Sequence, residues 1–183
     1  NERSCHIEHL GITATQIAAL ALIPKFSLGF GVPITAQTLG VMLCGTVLGA
    51  KRGALAVLLF LALVAIGLPL LAGGRGGLGS FMLPSSGFLI GWPVAAFVTG
   101  WIVERWRGPS LTVVAGVASV IGGILVLYVF GIIGLSIALD KSLVESTILV
   151  AIFIPGDLIK AVLAGFITSG LAKARPASVL SRS

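Results

Sequence analysis

Six long apolar runs, parted by charged or glycine–proline breaks, set what this 183-residue chain can fold into. They lie at about Leu10 to Phe26, Ala36 to Ala50, Ala54 to Ala72, Gly87 to Val103, Leu111 to Leu139 and Val144 to Ala172. Crossing a bilayer takes about 20 mostly apolar residues in a helix. The second run, with Gly40, Gly45 and Gly49, is short and spans only where protein surrounds it. Breakers stand where turns are needed, at Lys51-Arg52-Gly53, Arg107-Gly108-Pro109 and Asp140-Lys141-Ser142. Charged residues make up 10% of the chain and mean hydropathy is +1.13. A soluble domain carries about a quarter charged, so lipid must solvate most of this surface. The 57% apolar content also excludes disorder, despite 25 glycines. The sequence predicts an all-α integral membrane protein: one membrane domain of six transmembrane helices, with a glycine-rich outer loop at 73–86.

The net charge of +6 and pI near 10.0 first suggest an acidic partner such as nucleic acid. The distribution says otherwise. Six crossings put Arg3, Lys51, Arg52, Arg105, Arg107, Lys173, Arg175 and Arg182 on one side, and Lys25, Arg75 and Lys141 on the other. With Lys160 inside a span, these account for all twelve cations. Positive charge favours the cytoplasmic side, so both termini are expected there and no nucleic-acid binding is expected. The polar first nine residues, with no small-residue cleavage site after the next run, predict no cleavable signal peptide. Cys5 and Cys44 form neither a disulfide framework nor a metal motif.

Several function classes lack their residues. An intramembrane aspartyl protease needs two carboxylates, and Asp157 is the single acid deep in a span. No GxSxG occurs, and His6 and His9 lie outside the spans, so a serine–histidine pair is unavailable. No ligand cluster suits metal hydrolysis. The chain is therefore expected to be no enzyme and to need no cofactor. It also shows no inverted repeat and no Walker lysine after a glycine run. Uphill transport would draw its energy from another chain.

An ionisable residue inside a span is costly and marks a candidate site. Ile154-Pro155-Gly156-Asp157-Leu158-Ile159-Lys160 supplies two, three residues apart and so on one helix face. Counted inward along an unbroken sixth helix from Ser146, Asp157 falls about 16 Å deep, near the midplane. Pro155 and Gly156 are expected to loosen the helix there. The pair fits either a neutral link between helices or the polar end of a ligand pocket. Tyr128, the single tyrosine, falls at nearly the same depth on the fifth helix and suits a donor or a packed wall. Gln37, beside Thr35 and Thr38, suits either a helix cap or pocket lining. The run Ala72-Gly73-Gly74-Arg75-Gly76-Gly77-Leu78-Gly79-Ser80 formally contains GxGxxG but belongs to no βαβ unit. A flexible lid, with Arg75 and backbone amides of residues such as Gly77 open to an anion, or a plain linker, fits it. Ala14 and Ala18 form a small-xxx-small stripe on the first helix, suited to close helix approach.

The run Val32-Pro33-Ile34-Thr35-Ala36-Gln37-Thr38-Leu39-Gly40 resembles the VPITxQT signature of the BioY family. Gly67-Leu68-Pro69, the glycine-rich loop, Gly87-Phe88-Leu89-Ile90-Gly91 and Pro155-Gly156-Asp157-Leu158-Ile159-Lys160 agree in order. Before the fourth span, Leu83-Pro84-Ser85-Ser86-Gly87-Phe88 replaces the family's usual Gly-Pro-Thr-Gly-Gly-Tyr. The resemblance implies the biotin-specific substrate-binding (S) component of an energy-coupling factor (ECF) transporter, in a bacterial cytoplasmic membrane. It implies docking through Ala14 and Ala18 to a transmembrane coupling protein carried by a pair of ABC-type ATPases, which use the ATP. It also implies ligand contacts from Asp157 and Lys160. Tyr128, Gln37, Arg75, Gly77, Ser86 and Trp92 complete the expected ligand set. Biotin's ureido ring offers two N–H donors and a carbonyl, which Asp157 and Lys160 or Tyr128 can match. Trp92 or Phe88 would line its apolar part, and Arg75 or the loop amides would meet its carboxylate. Another vitamin, or a facilitator acting alone, is the alternative.

Overall fold

The computed structural model describes Phe26–Ser27 and Pro33–Arg182. The expected first span, with Ala14 and Ala18, lies outside the described residues. Two short strands, β1 (Phe26–Ser27) and β2 (Pro33–Ile34), pair antiparallel, Phe26 opposite Ile34. All else is helix and connection: α1 (Gln37–Leu48), α2 (Ala50–Ala65), α3 (Ser86–Arg105), α4 (Leu111–Leu139), α5 (Leu143–Ala151) and α6 (Ile154–Ala174).

Helix α3 lies at the centre, packed on α1, α2 and α4, while the first half of α4 packs on α6. Phe60, Met42, Leu127 and Leu135 fill the interior. The outer faces are equally apolar: Leu58 on α2, Ile137 on α4 and Phe166 on α6 stand exposed. Apolar residues on both faces of a helix are what a lipid-solvated bundle requires. Ser86–Arg105, Leu111–Leu139 and Ile154–Ala174 are each long and apolar enough to cross a membrane.

Three departures from the sequence reading shape the site. The expected third span stops at Ala65, because the chain turns through Gly67, at φ 111°, and Pro69. The expected sixth helix is broken: α5 ends at Ala151 and α6 begins at Ile154. Proline lacks an N–H and fits a helix's first turn, where that donor has no partner anyway. Pro155 therefore starts α6 rather than loosening a longer helix. Asp157 then lies in the first turn of α6, so its depth cannot be counted from Ser146 along one axis. Finally, α4 holds a π-helical stretch at Ile121–Val126, where Gly122 and Gly123 let α3 and the Met42 side chain come close.

The glycine-rich loop has structure of its own. Leu71 and Arg75 exchange backbone hydrogen bonds of 2.9 and 3.2 Å, and Leu78–Met82 forms a 3₁₀ helix. At the opposite end of the bundle, the chain after α6 turns back onto α1. There the Ser181 amide donates to the Val47 carbonyl at 3.0 Å and its hydroxyl to the Thr46 carbonyl, which satisfies carbonyls at the end of α1.

Candidate functional site

A pocket of about 570 Å³, partly open to the outside, lies between the first turns of α1, α3 and α6, the middle of α4 and the loop after α2. Its walls are mostly apolar: Leu71, Phe88, Leu89, Trp92, Leu127 and Phe153. The Phe88 ring stands edge-on to Tyr128 and to Phe153, with centroids 6.3 and 6.2 Å away.

The polar groups gather at one place. Lys160 donates to Asp157 Oδ1 at 2.7 Å and to Thr38 Oγ1 at 2.9 Å. The Thr38 hydroxyl donates to Asp157 Oδ1 at 3.3 Å, and the Tyr128 hydroxyl to Asp157 Oδ2 at 2.7 Å. Three helices thus converge on one carboxylate that is 4% exposed. The helical spacing of Asp157 and Lys160 makes their ion pair; the π-helical stretch sets the register from which Leu127 and Tyr128 reach inward. A carboxylate has about four lone-pair sites and an ammonium three protons. Among the described residues, Asp157 keeps about one acceptor position and Lys160 one proton, side by side in an apolar pocket. That is the complement of a single N–H/C=O edge.

Gln37, buried and in the first turn of α1, has a different task. Its Nε2 donates to the Leu70 carbonyl at 3.1 Å and its Oε1 accepts from the Ala72 amide at 2.9 Å. It clamps the outer loop to α1 and is not the N-cap, which is Ala36. Arg75 lines the pocket and donates through Nε to the Ala72 carbonyl at 3.2 Å, leaving its other guanidinium N–H groups without an acceptor among the described residues. Burial lowers its pKa from the ordinary value. Trp92 lines the pocket as well, and its buried indole N–H has no hydrogen-bond partner among the described residues.

Of the eight expected ligand residues, Asp157, Lys160, Gln37, Arg75 and Trp92 line the pocket, while Tyr128 stands behind it and reaches it through its hydrogen bond to Asp157. Gly77 and Ser86 are not in the lining; Gly77, at φ 79°, turns the chain into the 3₁₀ helix, and the serine that lines the pocket is Ser85. Thr38 and Phe153 were missed as site residues. Thr38 could have been found as the hydroxyl next to Gln37, whereas Phe153 sits in an apolar run with no local signal. Among the described residues no cluster of metal-ligating side chains occurs, and Cys44 is a buried free thiol.

A lipid-solvated helical bundle with one polar knot in an apolar pocket defines a membrane protein that binds a small, largely apolar ligand at a few fixed polar points. The BioY family model matches residues 5–177, and the chain belongs to the BioY family. It is 52% identical to the biotin transporter BioY of Rhodobacter capsulatus over 94% of this chain and 96% of the relative. It is 53% identical to that of Rhizobium etli, over 84% and 86% respectively. A crystal structure of the S-component for biotin from an ECF-type ABC transporter superposes with a TM-score of 0.87 at 34% identity, covering 94% of this chain and 93% of that one.

Proposed function

We propose that this chain is the biotin-capturing S component of an ECF transporter, delivering biotin across the bacterial cytoplasmic membrane. The observation that carries the reading is the free acceptor–donor pair of Asp157 and Lys160. An N–H and the carbonyl of the ureido ring match it, the apolar walls suit the thiophane ring and aliphatic chain, and Arg75 suits the carboxylate. Trp92 bounds the ring end, Tyr128 acts through Asp157, and Gln37 acts through the loop it holds. The likeness to biotin transporters over nearly the whole chain supports the same ligand.

Orientation follows from charge. Lys51, Arg52, Arg105, Arg107, Lys173, Arg175 and Arg182 gather at one end of the bundle; Arg75 and Lys141 stand at the other, with the pocket. The basic end faces the cytoplasm, so the pocket faces outward. The chain acts by binding, without a cofactor of its own. A transmembrane coupling protein and a pair of ABC-type ATPases supply the energy.

Calorimetry of the purified subunit with biotin tests the reading. Saturable one-to-one binding is expected, and no binding by folded protein would overturn it. Uptake in cells lacking the coupling protein and ATPases separates the roles: a subunit of an ECF transporter loses energised accumulation, whereas a facilitator keeps equilibrating biotin.

A further inference from the structure

Toward the far end of α3, about 18 Å along the helix from Leu89 in the first pocket to Trp101, lies a second, open concavity. Lys51, Arg52, Arg105 and Arg107 border it, and Glu104 is the one carboxylate among them. Glu104 is already engaged, accepting the Ala50 amide at 2.9 Å. None of the four cations has an ion-pair partner among the described residues. Topology requires cations on this side of the membrane, but not that four of them converge on one hollow.

The approach to the hollow is equally specific. Ile90, Val94, Phe97, Trp101 and Arg105 follow one another at three- and four-residue spacing along α3, so they form one stripe. All five are exposed, and the first four are large and apolar. The stripe passes from aliphatic to aromatic to cationic, and the Arg105 guanidinium sits 5.3 Å from the centre of the Trp101 ring. Aromatic rings mark the membrane–water border. An acyl chain laid along this stripe would bring its headgroup to Arg105.

We propose that this hollow binds an anionic phospholipid, with its acyl chain on the α3 stripe and its phosphate among Lys51, Arg52, Arg105 and Arg107. The apolar stripe distinguishes this ligand from a soluble phosphate, and the basic rim distinguishes it from a zwitterionic lipid. The inference does not rest on the biotin reading.

The test uses the full chain carrying Trp106→Phe in nanodiscs, with Trp101 as reporter and Trp92 buried away from lipid. Quenching by phosphatidylglycerol with brominated acyl chains is compared with quenching by brominated phosphatidylcholine. Phosphatidylglycerol should be preferred, and Arg105→Gln/Arg107→Gln should cut that preference about fivefold per cation. The milder Arg107→Gln alone should cut it in part, and an unchanged thermal unfolding midpoint reports that either variant is folded. Lys141→Gln, at the other membrane face, should leave the preference intact. Equal quenching by both lipids, or an equal loss in Lys141→Gln, would overturn the proposal. Displacement of the lipid by inorganic phosphate would assign a soluble anion site instead. Unaltered lipid preference in the double variant, with loss of co-purifying coupling subunits, would assign the hollow to an acidic protein surface.

Discussion

Asp157 accepts three hydrogen bonds from three different helices, so its charge is held before any ligand arrives. Such a site pays for binding in advance, because the ligand meets groups already oriented. Asp157→Asn removes the charge and offers a donor where an acceptor is needed. A hydrogen bond to a charged group contributes about 1.5–3 kcal/mol, so biotin affinity by calorimetry should fall roughly tenfold to a hundredfold; unchanged affinity would remove Asp157 from the site. Tyr128→Phe deletes one donor to Oδ2 but leaves Lys160 and Thr38 in place, and a loss of about fivefold is expected. The residue types of this knot were legible in the sequence, because a carboxylate and an ammonium in an apolar run cannot be bland. Their network was not legible. Thr38 and Lys160 are 122 positions apart, and nothing local says that they meet.

Elements decide where those residues stand. The span limits were readable at Arg107-Gly108-Pro109 and Asp140-Lys141-Ser142, and the fifth run became α4 with the same ends. Lys51-Arg52-Gly53, however, lies inside α2, and the turn falls before it, at Gly49, where φ is 86°. The break at Ile152–Phe153 was not readable, since apolar residues flank it on both sides and lipid solvates either conformation alike. Nor does hydropathy show the π-helical turn before Tyr128. Gly156 illustrates the consequence. In an unbroken helix it would be a hinge; in the first turn of α6 it faces open space, with nothing within 4 Å of an added Cβ. Gly156→Ala should therefore keep biotin affinity and leave thermal stability unchanged or raised by about 0.5–1 kcal/mol; lost affinity would restore the hinge. Gly87 is the contrast. Its Cα packs on Gly134 of α4, and an added Cβ would lie 2.8 Å from the Gly134 Cα. Gly87→Ala should push α3 from α4 at the level of Phe88, costing about 1–3 kcal/mol in unfolding free energy and weakening biotin binding with it.

Across the whole molecule, the pocket is assembled from α1, α3, α4, α6 and the loop after α2, so no single element holds a ligand. Gln37 is the link that ties the loop to the helices, through two hydrogen bonds to the backbone of Leu70 and Ala72. A ligand bound across all of these elements should stabilise them together. At a biotin concentration of about 100 times Kd, the linkage gain is about 2.7 kcal/mol. Thermal unfolding in detergent should therefore shift upward as one transition on adding biotin. Gln37→Ala should separate the helices from the loop: the buried Ala72 amide and Leu70 carbonyl lose their partners, the loop opens more readily, and biotin dissociates faster. The Asp157 knot is untouched by that change, so the association rate should move less than the dissociation rate, as read by stopped-flow tryptophan fluorescence. If both rates stay at their original values, the loop is not a lid; if association alone slows, Gln37 contacts the entering ligand directly.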